Sequence, residues 1–144
     1  MTIKEIQEEI IDEFSMFEDW MERYEYIIEL GKAIPLIEAQ YQTDDNIIKG
    51  CQSKVWLHAE ENEGKIEFTA NSNAILTKGI IALLLRVFSE QTPQDILDTN
   101  LYFIDEIGLK EHLSPTRANG LVSMIKQLKL YALGFQVKLK RETK

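Results

Sequence analysis

The segment from Ala74 to Ser89 restricts the fold most, because it is apolar on nearly every side of the helix that it predicts. Its large apolar residues are Ile75, Leu76, Ile80, Ile81, Leu83, Leu84, Leu85, Val87 and Phe88. A helix that is apolar all round is stable only when other elements enclose it. The chain has 144 residues, with 44% apolar and 28% charged, which is typical of a globular protein. We therefore expect a single domain, residues 1–144, built around this buried helix.

Amphipathic helices are expected before the central helix. Thr2 is placed to cap a first helix that ends near Phe14. A second helix is predicted from Met16 to Leu30, with Gly31 and Pro35 as its stop signals. The residues expected on its apolar face are Phe17, Trp20, Met21, Tyr24, Ile27 and Ile28.

Two further helix starts follow the central helix. Thr92-Pro93 and Ser114-Pro115 each combine a capping residue with a proline at the first helical position. The first predicts a short helix and the second a long final helix, and a further helical piece is expected near residues 103–107. The residues expected to face inward from the final helix are Ala118, Leu121, Val122, Ile125, Leu128 and Ala132.

Alternating apolar and polar residues predict a small sheet in the middle of the chain. Residues 55–59 and 66–70 alternate with a period of two, and a hairpin connection at 61–64 separates them. Ile47-Ile48 is expected to add a short strand before Gly50. The predicted fold class is α+β, with a three-stranded antiparallel sheet packed against N-terminal, central and long C-terminal helices.

Cys51 is the only cysteine in the chain and directly follows Gly50, between predicted strands. A glycine allows positive φ, so the loop can turn sharply and expose the next side chain. A thiolate is a strong nucleophile, whereas most lone cysteines are small buried apolar residues, and spacing alone favours that inert interpretation. A single thiol cannot form an internal disulfide and fits a reducing compartment.

Other classes of site are disfavoured. Cys51, His58 and His112 do not have the spacing of a structural zinc site, so no metal is expected. His112 precedes the final helix and could approach Cys51, but no third residue is evident to orient it as a base. We see no secretory signal and no apolar run long enough to cross a membrane, so the cytoplasm is the expected location.

The net charge of −8 is unevenly distributed. Residues 5–29 hold ten acidic side chains, whereas residues 110–144 hold eight Lys or Arg against two Glu. An acidic chain is a poor candidate for binding nucleic-acid phosphates. Either charged face is better suited to a protein partner.

Three motifs, in matching order and separation, resemble those of the SufE family and cover almost the whole chain. The first comprises Asp19-Trp20, Arg23-Tyr24, Ile28-Glu29-Leu30-Gly31-Lys32 and Pro35. The second comprises Asn46, Gly50-Cys51-Gln52-Ser53, Val55 and Trp56. The third comprises Leu113-Ser114-Pro115, Arg117 and Asn119-Gly120-Leu121. One departure is Asn73, where the family usually carries Asp, which removes a charge beside the reactive loop.

The resemblance implies a SufE/NifU-like fold and a sulfur carrier rather than an enzyme. Cys51 would accept persulfide sulfur from a cysteine desulfurase, activate that pyridoxal-phosphate enzyme, and pass the sulfur to an iron–sulfur cluster scaffold. No cofactor would be bound in this chain, and a covalent persulfide on Cys51 would be the intermediate. Thiolate attack on a sulfur–sulfur bond needs an accessible thiolate rather than a base or metal.

Four residues are predicted to support the reactive loop or to bind the partner: Gly50, Gln52, Ser53 and Arg117. Gln52 and Ser53 would fix the loop through side-chain-to-backbone hydrogen bonds. Arg117, at the start of the final helix, would either stabilise the thiolate or persulfide or pair with a surface carboxylate. In the free protein we expect apolar neighbours to cover Cys51 partly, with the loop from Ile48 to Lys54 swinging outward on docking.

Two other interpretations stay open. One is a stand-alone thioltransferase or peroxidase, although such enzymes commonly use a second, resolving thiol that this chain lacks. The other is a structural adaptor with an inert Cys51. The sequence also leaves open whether the chain forms a homodimer, and which desulfurase and scaffold it serves.

Overall fold

A β-hairpin and six helices make up the computed structural model, which describes residues 1–142. The helices are α1 Ile3–Phe14, α2 Trp20–Lys32, α3 Ile75–Phe88, α4 Pro93–Asp98, α5 Phe103–Glu106 and α6 Pro115–Glu142. The strands are β1 Val55–Asn62 and β2 Lys65–Ser72, and short 3-10 turns lie at Ala39–Tyr41, Asp44–Asn46 and Lys110–His112. None of the described helices is long and apolar enough to cross a membrane.

Helix α3 lies at the centre of the core, as its composition predicts, and nearly all of its side chains from Gly79 onward are buried. Helix α2 crosses it at very close range. A Cβ added to Gly79 would lie 2.1 Å from the carbonyl oxygen of Ile27, and one added to Gly31 would lie 2.8 Å from the Gly79 nitrogen. Only glycine at both positions permits this approach.

Capping side chains set the helix starts. The hydroxyl oxygens of Thr2 and Thr92 accept backbone N–H groups of α1 and α4, as predicted. Helix α2, however, begins at Trp20 and not at Met16, because Asp19 Oδ1 accepts the N–H of Glu22 at 2.8 Å and caps the helix there. The predicted start of this helix was therefore wrong.

Two residues predicted to face the core are exposed instead. Met21 lies on the outer side of α2 and Val122 on the outer side of α6. In both helices apolar residues occur on more than one side, so periodicity alone did not fix the edge of the buried face.

The sheet consists of β1 and β2 paired antiparallel, with Val55 opposite Ser72 and Asn62 opposite Lys65. Alternate residues of each strand are buried, β2 packs along α3, and the two-residue turn uses positive φ at Glu63 and Gly64. The predicted third strand is wrong. Ile47-Ile48 forms only an isolated bridge to Trp56, because a 3-10 turn precedes this short segment and the Gly50 turn follows it.

Helices α1 and α3 are also joined by a half-buried charged cluster. Arg86 bonds to Glu13 through Nη1 at 2.9 Å and also pairs with Glu9. The hydrogen bond from Arg86 lowers the pKa of Glu13. Burial, together with a hydrogen bond to Glu13, raises the pKa of Tyr26 to about 12. This part of the molecule is held by fully partnered polar groups as well as by the core.

Candidate functional site

The segment that carries Cys51 is anchored at both ends. On one side, the N–H of the buried Ile48 donates to the carbonyl oxygen of Val55 at 2.8 Å. On the other side, Lys54 donates its N–H to Asn73 Oδ1 at 3.0 Å, and its carbonyl oxygen accepts the Ser72 hydroxyl at 2.8 Å. The intervening residues 49–53 form a short loop between fixed points.

Asn73 thus has a structural role that sequence reasoning did not assign. Its Oδ1 is the acceptor that holds the Lys54 N–H, and an aspartate at this position would offer the same oxygen. The departure from the family pattern therefore removes a negative charge while keeping the anchor of the loop.

Gly50 turns the loop toward α6. Its φ of +93° is rarely adopted by residues with a side chain, and a Cβ there would lie only 2.4 Å from Ser123 Oγ. The positive φ favours glycine, and the Ser123 hydroxyl would have to move to admit a side chain, which explains the Gly-Cys pair in physical terms.

Cys51 is half-buried and packs against the core, so the expected partial covering is confirmed. Its Sγ lies 3.6 Å from the carbonyl oxygen of Gly120, which belongs to the second turn of α6. Burial raises the pKa of the Cys51 thiol. At neutral pH the resting group is therefore the protonated thiol, which is a poor nucleophile.

Gly120 leaves room for this side chain. A Cβ at position 120 would lie 3.6 Å from Cys51 Sγ and 3.9 Å from its Cα, which is ordinary van der Waals contact. The Cys51 loop and α6 are thus in ordinary contact at this point and are not tightly interlocked. Gly120 belongs to the third motif. The sequence of that motif does not indicate that Gly120 contacts Cys51, which lies 69 positions away.

Gln52 and Ser53 do not fix the loop as expected. Within residues 1–142 neither side chain forms a hydrogen bond, and Gln52 is exposed. The anchoring role belongs to Asn73 and Ser72 instead. This leaves both side chains unengaged in the free protein.

Arg117 lies in the exposed first turn of α6, where its N–H donates to Ser114 Oγ at 3.3 Å. Its guanidinium forms neither an ion pair nor a hydrogen bond among the described residues. Helix α6 does pack against the loop, but through Gly120 and not through Arg117. An action of Arg117 on the thiolate or persulfide remains a prediction.

The two imidazoles are engaged elsewhere. His112 donates from Nδ1 to the carbonyl oxygen of Gly108 at 3.0 Å and stacks on Trp20 at 3.9 Å. His58 stacks on Tyr41, with ring centroids 3.7 Å apart. In the part of the chain that the structure describes, the Cys51 thiol has no hydrogen bond to either ring.

The first motif secures the turn that leads into α6. Arg23 donates from Nη1 to the carbonyl oxygen of Ile107 at 2.8 Å, and the Tyr24 hydroxyl donates to the carbonyl oxygen of His112. With the Trp20–His112 stack, these contacts position the residues before Ser114. The first motif therefore supports Cys51 indirectly, because it positions the start of α6, the helix that Cys51 contacts.

No group of three or more His, Cys, Asp or Glu in residues 1–142 is arranged to hold a metal ion. The chemistry that this site offers is that of one half-covered sulfhydryl on a short anchored loop. Such a group can exchange sulfur once it is exposed and deprotonated.

The chain is similar to a protein-family model, to a curated relative and to a solved structure. Residues 8–132 match the family model SufE, described as an Fe-S metabolism associated domain. An uncharacterised SufE-like protein from Rhizobium meliloti is 39% identical over 132 residues, covering 88% of this chain and 94% of that protein. A solution structure of a hypothetical protein from Thermus thermophilus has the same fold, with a TM-score of 0.74 at 19% identity over 90% of this chain and 94% of that one.

Proposed function

The chain belongs to the SufE family and has a role in iron–sulfur metabolism, and on that premise we propose that Cys51 carries sulfur between two partner proteins. The donor is a cysteine desulfurase, which the chain also activates, and the recipient is an iron–sulfur cluster scaffold. The observation that carries the proposal is a single thiol, half-buried, at the middle of a loop anchored on both sides.

The transfer step is a thiol exchange without net oxidation. The Cys51 thiolate attacks the outer sulfur of the donor's persulfide, forming a new sulfur–sulfur bond as the bond within the donor breaks. The donor leaves as its cysteine thiolate, and the outer sulfur stays on Cys51 as a persulfide. A second exchange of the same kind moves that sulfur to a thiolate of the recipient.

The resting geometry supports a carrier that is inactive until it docks. A protonated, half-covered thiol is slow to react with oxidants and alkylating agents. Docking would replace the weak contact with Gly120 and move residues 49–53 outward, where the thiol loses the burial that raises its pKa. The same movement would bring Cys51 to the donor's sulfur.

The test is intact-mass analysis after incubation with a cysteine desulfurase and free cysteine. The parent protein should gain the mass of one sulfur atom, sensitive to a reducing thiol, and the Cys51→Ser variant should gain none. The desulfurase should also turn over faster with the parent. An unmodified parent protein together with an unchanged desulfurase rate would contradict the proposal.

Arg117 is tested separately with Arg117→Ala, using Lys4→Ala as a control that removes an exposed positive charge far from both proposed sites. We expect sulfur acceptance to fall several-fold for Arg117→Ala and to stay at the parent level for Lys4→Ala. Alkylation of the free protein should be the same in both variants, because Arg117 does not contact the thiol at rest. Equal acceptance by both variants would remove Arg117 from the site.

A further inference from the structure

The outer face of α6 carries an apolar stripe that no described element covers. Leu130, Leu133 and Val137 lie on it with exposures of 50%, 47% and 44%. Their spacing of three and four residues is that of the seam by which one helix packs along another. The stripe is therefore patterned for a helical occupant.

The same end of α6 receives little support from the core. Beyond Ala132 none of its described residues is buried, and this final part of the helix extends for about 15 Å. A helical segment of this length is marginal in water without tertiary packing. An occupant along the stripe would supply that packing.

The charges beside the stripe specify the chemistry of the occupant. Helix α6 holds six Lys or Arg and a single acidic residue, Glu142, whereas the other residues of the chain hold ten basic and 23 acidic ones. Lys126, Lys138 and Arg141 form no hydrogen bond or ion pair among residues 1–142. Lys126 lies one turn before Leu130 in line with the seam, and Lys138 and Arg141 lie beside its other end. Unpaired cations around an apolar seam favour a partner helix with carboxylates beside its own seam.

A second copy of α6 fits the stripe poorly, because the lysines of one helix would face those of the other. The stripe also continues into a groove of about 440 Å³ between residues 45–49 and α6, lined by Lys126 and Leu130. Ser123, which faces Gly50, lies in the same groove. A helix on the stripe would thus end beside the Cys51 loop.

We propose that the outer face of α6, from Lys126 to Arg141, binds an acidic amphipathic helix of a partner protein. The apolar seam supplies the contact area, and the flanking cations select the sign of charge. The surface lies outside the Cys51 loop, so its test uses no sulfur donor and stands apart from that of the proposed function.

The experiment titrates the ¹⁵N-labelled full chain with a synthetic helix that carries Leu in a heptad seam and Glu in the flanking positions. Comparison peptides replace Glu with Lys or scramble the order. We expect amide shifts confined to α6 and the neighbouring groove. Binding should weaken at least tenfold for the Lys and scrambled peptides and at least tenfold at high salt.

Variants of the chain complete the test. Lys126→Glu/Lys138→Glu and Leu133→Glu should each weaken binding at least tenfold, whereas Lys4→Glu/Lys32→Glu, with the same charge change elsewhere, should leave it unaltered. These positions lie at the surface, and circular dichroism checks that each variant folds.

Three results would overturn the proposal. The first is binding that does not distinguish the Glu, Lys and scrambled peptides. The second is self-association of the parent that Leu133→Glu abolishes, which would make a second copy the occupant. The third is binding of the stripe to vesicles containing phosphatidylglycerol in preference to the acidic peptide.

Discussion

Two contacts made at glycines join elements of this molecule, and they differ in the space that they leave. Between α2 and α3, an added Cβ at Gly79 would lie 2.1 Å from a backbone oxygen. Between α6 and the Cys51 loop, an added Cβ at Gly120 would lie 3.6 Å from the nearest atom, a side-chain sulfur. The first contact joins two long elements of the core, and the second joins a helix to a short loop.

The difference agrees with the proposal that the first contact is permanent and the second is released on docking. The α2–α3 crossing buries apolar side chains that would lose their packing if the helices parted. The contact of the loop with α6 includes a weak S–H···O interaction at 3.6 Å and the fit of Gly50 against Ser123. The same residue type thus permits a tight crossing in one region and borders a contact with more room in the other.

The largest effect is expected at the crossing. Gly79→Ala should destabilise the protein by about 3 kcal/mol or more, because backbone atoms have to shift to admit the methyl group. Gly134→Ala is the control, since nothing lies within 4 Å of its added Cβ. The control should gain about 0.5–1 kcal/mol from higher helix propensity. Urea denaturation measures the free energy of unfolding of both variants. Similar values for Gly79→Ala and Gly134→Ala would contradict a permanent contact between α2 and α3.

The next effect tests release of the loop. Gly50→Ala combines an unfavourable φ with a clash against Ser123, so the seated loop should be strained by about 1–3 kcal/mol. Alkylation of Cys51 should then accelerate by about tenfold, because about 1.4 kcal/mol of strain shifts the opening equilibrium by that factor. Gly64→Ala has a similar φ of +83° in open space and should leave the rate unchanged. Equal alkylation rates for Gly50→Ala and Gly64→Ala would show that the contact with α6 does not limit the exposure of the Cys51 thiol.

A third effect sharpens the description of the rigid region. Arg86→Met removes the partner of Glu13 and should cost about 1 kcal/mol at neutral pH, since the pair is only partly shielded from solvent. The folded pKa of Glu13 is lowered, so its contribution is present above about pH 4.3 and is lost as the pH falls through the folded pKa. Stability of the variant should therefore decline less in acid than that of the parent. Lys32→Met, which breaks the exposed pair with Glu29, should change neither quantity measurably.

The smallest effect is expected in alkali and concerns Cys51 itself. Its folded pKa is raised, so folding favours the protonated thiol, and that contribution is lost as the pH rises above about 8.5. The stability of the parent should fall more steeply there than that of Cys51→Ser. Tyr26, with a pKa of about 12, titrates in both proteins and cancels in the difference. If the free energies of unfolding of the parent and of Cys51→Ser fell equally with rising pH, the thiol would not be shielded in solution.

The elements that sequence reasoning predicted well are those defined by local signals. Thr2, Thr92 and Pro115 mark helix starts through their own chemistry, and the apolar composition around α3 leaves it no place but the core. Asp19 carries the same kind of signal for α2. The prediction did not use this signal and placed the start of the helix at Met16.

The features that escaped prediction depend on contacts between distant parts of the chain. Whether Ile47-Ile48 forms a strand or a single bridge depends on how much of β1 it can reach. The Cys51–Gly120 contact spans 69 positions and the Arg86–Glu13 pair spans 73. The resemblance to the SufE family, together with the position of Arg117 at a helix start, suggested that the Cys51 loop and the final helix belong to one site, yet not which atoms meet.

The anchors at Ile48 and Lys54 limit how far the reactive sulfur can travel. Cys51 is the midpoint between them, and three residue steps of at most about 3.6 Å on either side allow an outward excursion of roughly 10 Å. Under the proposed function, a donor persulfide that lies farther than this distance from the docked surface would be out of reach unless the donor itself opens. The length of this short loop would then limit which donors and recipients can exchange sulfur with Cys51.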